Sequence, residues 1–412
     1  MAEFTVPLDL PDVEILKVEI EGDVGLTLSI ESSLPTTKCQ RCGREISRLH
    51  GYGDWIQLGH LPILGREVYI RYRAKRFECP YCDGHPTTRQ TVSWHTPNSP
   101  YTRAYENHIL KALINSTLQD VSRKEQVGYD GIEGIVERRI ASRVEWSRYS
   151  DLSVLGLDEI ALTKGHGDFV VIVSSRLSTG QVVVLAVLPN REKATVQAFL
   201  ESIPAGLKAT IHSVCTDMYE GYRQAVETVL AEAHVVVDRF HVTKLYRQAA
   251  DKVRQTEMKR LKKSLPKAEY ATLNPCRHAF WKNAVDLTSQ ERQALEQLFA
   301  YAPNLRLIHV FREGLRAIFE RPLSKAQAQD ELKTWMFLVR EQHIDCFEPF
   351  LKTLTNFFNE ITNFLVHRLT SGFVEGLNNK IKVLKRRAFG ITNLTHLFQR
   401  LVLDLEGYQL LA

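Results

Sequence analysis

Five apolar runs decide the fold of this chain: SVLGLDEIAL (153–162), DFVVIVSSR (168–176), QVVVLAVLP (181–189), SVCTD (213–217) and AHVVVDRF (233–240). Each is short and rich in β-branched or aliphatic residues, the composition of a strand. Between the third and fourth, EKATVQAFLESI (192–203) spaces its apolar residues by threes and fours and predicts a helix. A second helical segment separates the fourth run from the fifth. Strands in a meander, then strands alternating with helices, predict an α/β layer on a mixed sheet.

Upstream, residues 13–30 (VEILKVEIEGDVGLTLSI) alternate apolar and polar around a Gly-containing turn and predict a hairpin. The polar, Thr-, Ser- and Pro-rich stretch after Pro86 predicts a linker. Three helical patterns follow at 104–115, 118–127 and 131–145. Downstream, 244–365 is almost wholly helical in pattern, with Trp281 and Trp335 among many Leu, Phe and Ile. The expected division is a hairpin and cysteine-bearing region (1–85), a linker (86–103), a three-helix domain (104–148), the α/β layer in two parts (149–243 and 366–412) and a helical domain between those parts (244–365).

The 412 residues are 44% apolar and 25% charged, with a formal net charge of +5. That is a globular composition, long enough for about two to four domains. The mild positive balance fits a polyanionic partner without demanding one. Early acids and the lack of an apolar run flanked by bases exclude a secretory signal. No stretch approaches the roughly 20 apolar residues of a membrane span. A cytoplasmic protein with no membrane partner is expected.

Four of the seven cysteines form two tight pairs, Cys39-Gln-Arg-Cys42 and Cys79-Pro-Tyr-Cys82, while Cys215, Cys276 and Cys346 are scattered. This favours metal ligation over a disulfide framework. A two-residue gap lets one turn present both thiolates to one ion, and two such knuckles close a tetrahedral site for structural zinc. A redox CxxC would not come as two pairs; His50, His60, His85 and His95 are the alternative ligands. Between the pairs, Val68, Ile70, Tyr72 and Ala74 alternate with Tyr69, Arg71, Arg73 and Lys75. A strand here has one packed face and one basic face, suited to phosphate or simply to guarding a sheet edge.

In the three-helix segment, Ile109, Leu110, Leu113 and Leu118 form an apolar stripe, and Asp130 is a candidate cap for a helix whose Ile132, Ile135, Val136 and Ile140 face inward. Arg138, Arg139 and Arg143 are then expected to point outward. A basic second helix after a short turn is the helix-turn-helix arrangement that enters a major groove, although any small helical connector shares the pattern.

Asp158 ends one strand-like run, Asp217 ends another, and Glu375 opens a helix after Ser371-Gly372. Singly, each has a plain reading as a turn former or a helix-dipole partner. Together they meet the demand of phosphoryl transfer for hard carboxylates on adjacent strand ends and a nearby helix, holding two divalent cations. On that helix Val374, Leu377, Ile381, Leu384 and Ala388 form the buried stripe, while Glu375, Asn379, Lys382 and Arg386 share another face. Lys382 and Arg386 are thereby candidate phosphate contacts.

The strings LGLDEIALTKGHGDFVVIV, TDMYEGYRQAV with VVVDRFHVTKL, and SGFVEGLNNKIKVLKRRAFGI resemble the three signature blocks of insertion-sequence transposases of the ISL3 group. The resemblance covers nearly the whole chain. It implies a multidomain protein with an N-terminal zinc ribbon, a helix-turn-helix, and an α/β ribonuclease-H-like core interrupted by an all-helical insertion domain. It places the acidic triad on Asp158, Asp217 and Glu375, and it leaves Asp238 as either a metal auxiliary or a strand anchor acting through His241.

The implied activity is DDE transposition: binding of terminal inverted repeats in double-stranded DNA, then magnesium-dependent strand cleavage and transfer into target DNA with two ions per active site. The implied assembly is a homo-oligomer, at least a dimer, acting at the nucleoid. Two rivals are a structure-selective ribonuclease-H-like nuclease and a domesticated DNA-binding regulator with a dead core.

Overall fold

A computed structural model describes residues 7–21, 25–162, 169–237, 239–273, 276–369, 372–388 and 390–412. The turn of the first hairpin, Asp238 and Ser371 lie outside the described residues. The chain divides into two compact units, residues 1–141 with 402–412, and residues 142–401.

In the first unit the strands are β1 (Val13–Glu21), β2 (Gly25–Ser32), β3 (Thr37–Lys38), β4 (Glu45–Ile46), β5 (Arg48–Tyr52), β6 (Ile56–Ile63), β7 (Arg66–Tyr72), β8 (Lys75–Glu78) and β9 (Thr87–Arg89). They form a four-stranded sheet in the order β1-β2-β7-β6, a β3-β4 ribbon and a three-stranded β5-β8-β9 sheet. The predicted hairpin is the antiparallel β1-β2 pair. Alternation in β2, β6 and β7 turns Leu28, Ile30, Leu58, Val68, Ile70 and Tyr72 into one core with Leu10 and Trp94.

The stretch 86–103, expected as a linker, is instead an ordered strap. It supplies β9, buries Trp94 edge-on against Tyr72 with ring centroids 5.0 Å apart, and ties into β6 through Gly59 N–H to Pro100 O (2.9 Å) and Thr102 N–H to Gly59 O (3.0 Å). Polar composition concealed one anchoring indole and a set of backbone bonds.

The three predicted helices are α1 (Arg103–Leu113), α2 (Leu118–Glu125) and α3 (Tyr129–Arg139). Thr102 and Thr117 cap the first two through their hydroxyls. The third begins at Tyr129, directly after Gly128, so Asp130 lies in its first turn and does not cap it, and it ends six residues short of the expected 145.

Arg138 and Arg139 were expected to face outward, but both clasp Glu106, at 3.0 and 3.1 Å. Glu106 is fully buried and also accepts the Ser99 hydroxyl at 2.8 Å. Removing both guanidinia leaves a buried carboxylate without its counter-ions, which costs about 3–5 kcal/mol. The Arg138→Ala/Arg139→Ala protein should therefore lose the first unit's melting transition at markedly lower temperature in calorimetry. Glu106→Gln should cost less, because the two freed guanidinia remain partly exposed.

The second unit is built on β10 (Val154–Ala161), β11 (Phe169–Arg176), β12 (Val182–Leu188), β13 (Ser213–Thr216) and β14 (His234–Val237), in the order β12-β11-β10-β13-β14. β11 runs antiparallel to both neighbours, whereas β13 and β14 run parallel to β10. This is the mixed sheet that the five runs predict. One face, with Leu155, Leu157, Val173 and Val214, packs under α4 (Lys193–Ser202) and α6 (Glu220–Val229), which flank the short α5 (Ala205–Lys208).

Val154, Cys215, Val236 and Val237 belong instead to a large helical core. Its helices are α7 (Arg239–Ser264), α8 (Lys267–Thr272), α9 (Cys276–Ala279), α10 (Ser289–Tyr301), α11 (Pro303–Glu320), α12 (Lys325–Glu341), α13 (Glu348–Asn356) and α14 (Phe358–His367). Capping boxes start α10 (Thr288, Glu291) and α12 (Ser324, Gln327). α14 guards the β14 edge, with Asn363 Nδ2 donating to Val235 O at 2.8 Å. The boundary expected between 243 and 244 falls inside α7, which runs unbroken from Arg239. α15 (Gly372–Arg387) and α16 (Leu394–Leu410) complete the chain.

Candidate active site and zinc centre

Leu157 pairs with Thr216 across the parallel β10-β13 ladder, so Asp158 and Asp217 come next on the two sides of it. Asp217 directly follows β13, whereas Asp158, expected at a strand end, lies inside β10, which runs on to Ala161 paired with β11. Both carboxyls are pushed above the ordinary range chiefly by burial, Asp217 to about 6. Asp158 adds to the rise at Asp217, Glu159 adds to the rise at both, and His241 on the first turn of α7 pulls both back down. Asp158 spends Oδ1 on the Glu159 N–H (2.8 Å) and Oδ2 on Asn378 Nδ2 (2.5 Å). Asp217 Oδ1 is buried with no hydrogen-bond partner. An orphaned carboxylate oxygen beside a second acid is a place a hard cation fits.

Glu159 is a member of this cluster that sequence reading passed over. Its Oε1 accepts Arg191 Nη1 and the Tyr222 hydroxyl, both at 3.3 Å, and after burial it is the largest influence raising Asp217. Its apolar neighbours gave no sign of this, since Arg191 and Tyr222 reach it from the α4 and α6 side of the sheet.

α15 lies along β10 in the same direction. Val374 and Phe373 cover Gly156, Asn378 meets Asp158, and Lys385 Nζ donates to Ala161 O. Gly156 makes this possible, because a Cβ there would stand 2.5 Å from the Val374 side chain and 2.7 Å from Ser174 Oγ. The stripe Val374, Leu377, Ile381 and Leu384 is buried as predicted, and Ala388 is half-buried.

Glu375 is exposed on the first turn, three residues before Asn378. Among the described residues it does not join Asp158 and Asp217 in a group close enough to share one ion. Asn378, not Glu375, is the α15 side chain that meets Asp158. Asn378 itself was not singled out in the sequence, although it follows Glu375 by one helical turn.

Of the basic candidates, Lys382 and Arg386 are exposed, and Lys382 is near enough to Asp158 to favour its charged form. In the first unit Arg71 lies over Trp55 (5.1 Å), and Arg73 over Tyr52 (4.1 Å) and Trp55 (4.8 Å). Neither has a carboxylate within ion-pair distance among the described residues. Lys75 is paired with Glu31 at 3.4 Å, and Arg143 is exposed beyond the end of α3.

The four cysteines of the two pairs converge. Their sulfurs all lie within 4.8 Å of one another, with Cys39 and Cys79 buried. The β3-β4 ribbon and the β8-β9 pair each present one knuckle, and Gly43 and Gly84 take the positive φ (72° and 78°) that the tight turns require. The N–H groups of Cys42 and Arg41 lower the Cys39 thiol to about 6, whereas burial and the neighbouring thiols push Cys82 up to about 12. Four soft donors at this spacing fit a tetrahedral zinc.

The zinc centre has a counterpart among known proteins. Residues 35–82 match the zinc-finger of the transposases of IS204, IS1001, IS1096 and IS1165. The chain is 28% identical over 391 residues to the transposase for insertion sequence element IS1001 of Bordetella parapertussis, covering 93% of both chains. It is 25% identical to the transposase for IS1557 of Mycobacterium tuberculosis, covering 90% of this chain and 86% of that one. Among solved structures, the Drosophila P element transposase strand transfer complex aligns with a TM-score of 0.43 and 10% identity, over 74% of this chain and 93% of that chain. Residues 155–401, more than half of the chain, match the ISL3 transposase family model, so this chain belongs to the ISL3 family of transposases.

Proposed function

We propose that this transposase is a DDE enzyme, cutting double-stranded DNA at the terminal inverted repeats of an insertion sequence and joining the freed 3′ end to target DNA. The observation that carries the reading is the Asp158–Asp217 pair, one inside β10 and the other just past the end of the adjacent β13, with one oxygen of Asp217 buried and unsatisfied. The strand order with β11 reversed supports a ribonuclease-H-like core, interrupted between β14 and α15 by a helical insertion. The α2-turn-α3 pair supports a helix-turn-helix, with the zinc ribbon and the Arg71 and Arg73 face beside it in the first unit.

Asp158 and Asp217 would hold magnesium, with Glu375 completing the ligand set. Two ions held there would supply activation of the attacking oxygen and neutralisation of the leaving one. The chain's own part is placement: the sheet fixes the two aspartates, Asn378 orients Asp158, and Lys382 with Arg386 offers phosphate contacts along α15. Two DNA ends must be held together for joining, so the acting form is at least a dimer, working in the cytoplasm at the nucleoid. The test is incubation of the protein and magnesium with a labelled duplex from the flanks of its gene. Nicking at the repeat boundary and joined products are expected, and their absence with tight binding would favour a regulator.

Magnesium binding also has a stability signature. Asp217 titrates higher in the fold than in the unfolded chain, so its ionisation costs nothing below about pH 4 and the full amount above about pH 6, at most about 3 kcal/mol. Without divalent ions, Asp217→Asn should therefore melt higher than the parent at pH 8, and the difference should shrink near pH 4. Added magnesium should stabilise the parent and not the variant. Equal stabilisation of both by magnesium would remove Asp217 from the ligand set.

A further inference from the structure

α7 carries basic residues along its whole length, and none was assigned a role by sequence. Val242, Tyr246, Ala249, Ala250 and Leu261 turn inward. The opposite stripe starts at His241, which is electrostatically coupled to Asp158 and Asp217, and continues at three- and four-residue steps through Lys244, Gln248, Lys252, Gln255 and Lys259. Arg254 and Arg260 are spent on Asp251 (2.7 Å) and Glu257 (2.7 Å). Lys244, Arg247 and Lys252 are exposed, and among the described residues none lies within ion-pair distance of a carboxylate.

These three cations line an open groove of about 700 Å³, closed on its far side by Trp281, Pro349 and Thr353. Asp251 also lines it, with its carboxylate engaged by Arg254 and Gln255. The Arg247 guanidinium lies 4.7 Å over the Trp281 ring, which fixes its plane and leaves its N–H edge unspent.

We propose that this face of α7 is a track for the phosphate backbone of duplex DNA leading away from the acidic centre. At about 1.5 Å per residue, Lys244 stands roughly 4 Å and Lys252 roughly 16 Å beyond His241 along the axis. That interval covers several phosphates at about 3.4 Å of helix axis per nucleotide on one strand. A groove lined by exposed cations, on the helix whose first turn carries the His241 that acts on both acids, is what a polyanion crossing those acids meets next. The inference rests on reading the acids as the cleavage centre.

The test uses the full-length protein and a duplex of about 40 base pairs, with affinity measured across a salt series. Three phosphate contacts contribute about 2.7 to the slope of log affinity against log salt. Lys244→Gln/Arg247→Gln/Lys252→Gln should lower the slope by about that amount with unchanged melting, since all three side chains are exposed. The charge-keeping variant Lys244→Arg/Arg247→Lys/Lys252→Arg should restore it. An unchanged slope in the glutamine variant overturns the track. So does polyglutamate binding that disappears in that variant while DNA affinity stays the same. A lower slope in the glutamine variant, with no cleavage by the parent protein, keeps the track and sinks the catalytic reading instead.

Discussion

Asp158→Asn, Asp217→Asn and Glu375→Gln are each expected to lower magnesium-dependent cleavage and strand transfer by about 10³-fold or more. Each exchange keeps size and some hydrogen bonding while removing charge from the set proposed to hold the cations, so on that reading the developing charge on the phosphate loses its neutralisation. The three controls differ in kind. Asp158→Asn leaves the Asn378 contact possible, Asp217→Asn relieves a buried charge, and Glu375→Gln touches an exposed side chain. Loss of activity at Glu375 therefore cannot be assigned to unfolding. Asp238→Asn should be milder if that residue anchors its strand. The assay is nicking and joining of a labelled end, with binding and melting measured in parallel. Retained cleavage by the Glu375→Gln protein would remove it from the active site.

Cys39→Ser/Cys42→Ser should release one zinc per chain and unfold the ribbon. The ribbon's own core is only Ile46 and Phe77 with the sulfurs, too little apolar area to hold two knuckles. Structural zinc supplies about 10–16 kcal/mol in small sites of this kind, so its loss is not offset by packing. The first unit should lose the order of β3, β4, β8 and β9 while the four-stranded sheet, with its separate core around Ile30, Ile70 and Trp94, survives. DNA-end binding should fall with it. Elemental analysis and hydrogen exchange of both proteins check this; a zinc content unchanged by the double substitution would refute the ligand assignment.

The sheet was legible because strands buried on both faces read as nearly continuous apolar runs, and β10, β11 and β12 are of that kind. The zinc knuckles were legible because ligand spacing is a local property. The strap at 86–103 was not, since its single indole and its backbone bonds to Gly59 leave no periodicity. Nor were the partners of Glu106 and Glu159, which come from residues about 30 to 60 positions away. Arg138 and Arg139 illustrate the limit: helical phase marks a side of α3, but whether that side meets solvent or a buried acid depends on α1.

The contact between Asn378 and Asp158 joins residues 220 positions apart, with every helix from α4 to α14 between them. Closing so large a loop is slow relative to forming the sheet itself. During synthesis, β14 leaves the ribosome roughly 140 residues before Asn378, about 7 to 28 seconds earlier at usual elongation rates. A nascent chain thus carries its two aspartates long before it carries the helix that orients one of them and brings Glu375. On the proposed reading the cutting apparatus is assembled last, and a chain truncated anywhere before α15 should not cleave the DNA around it.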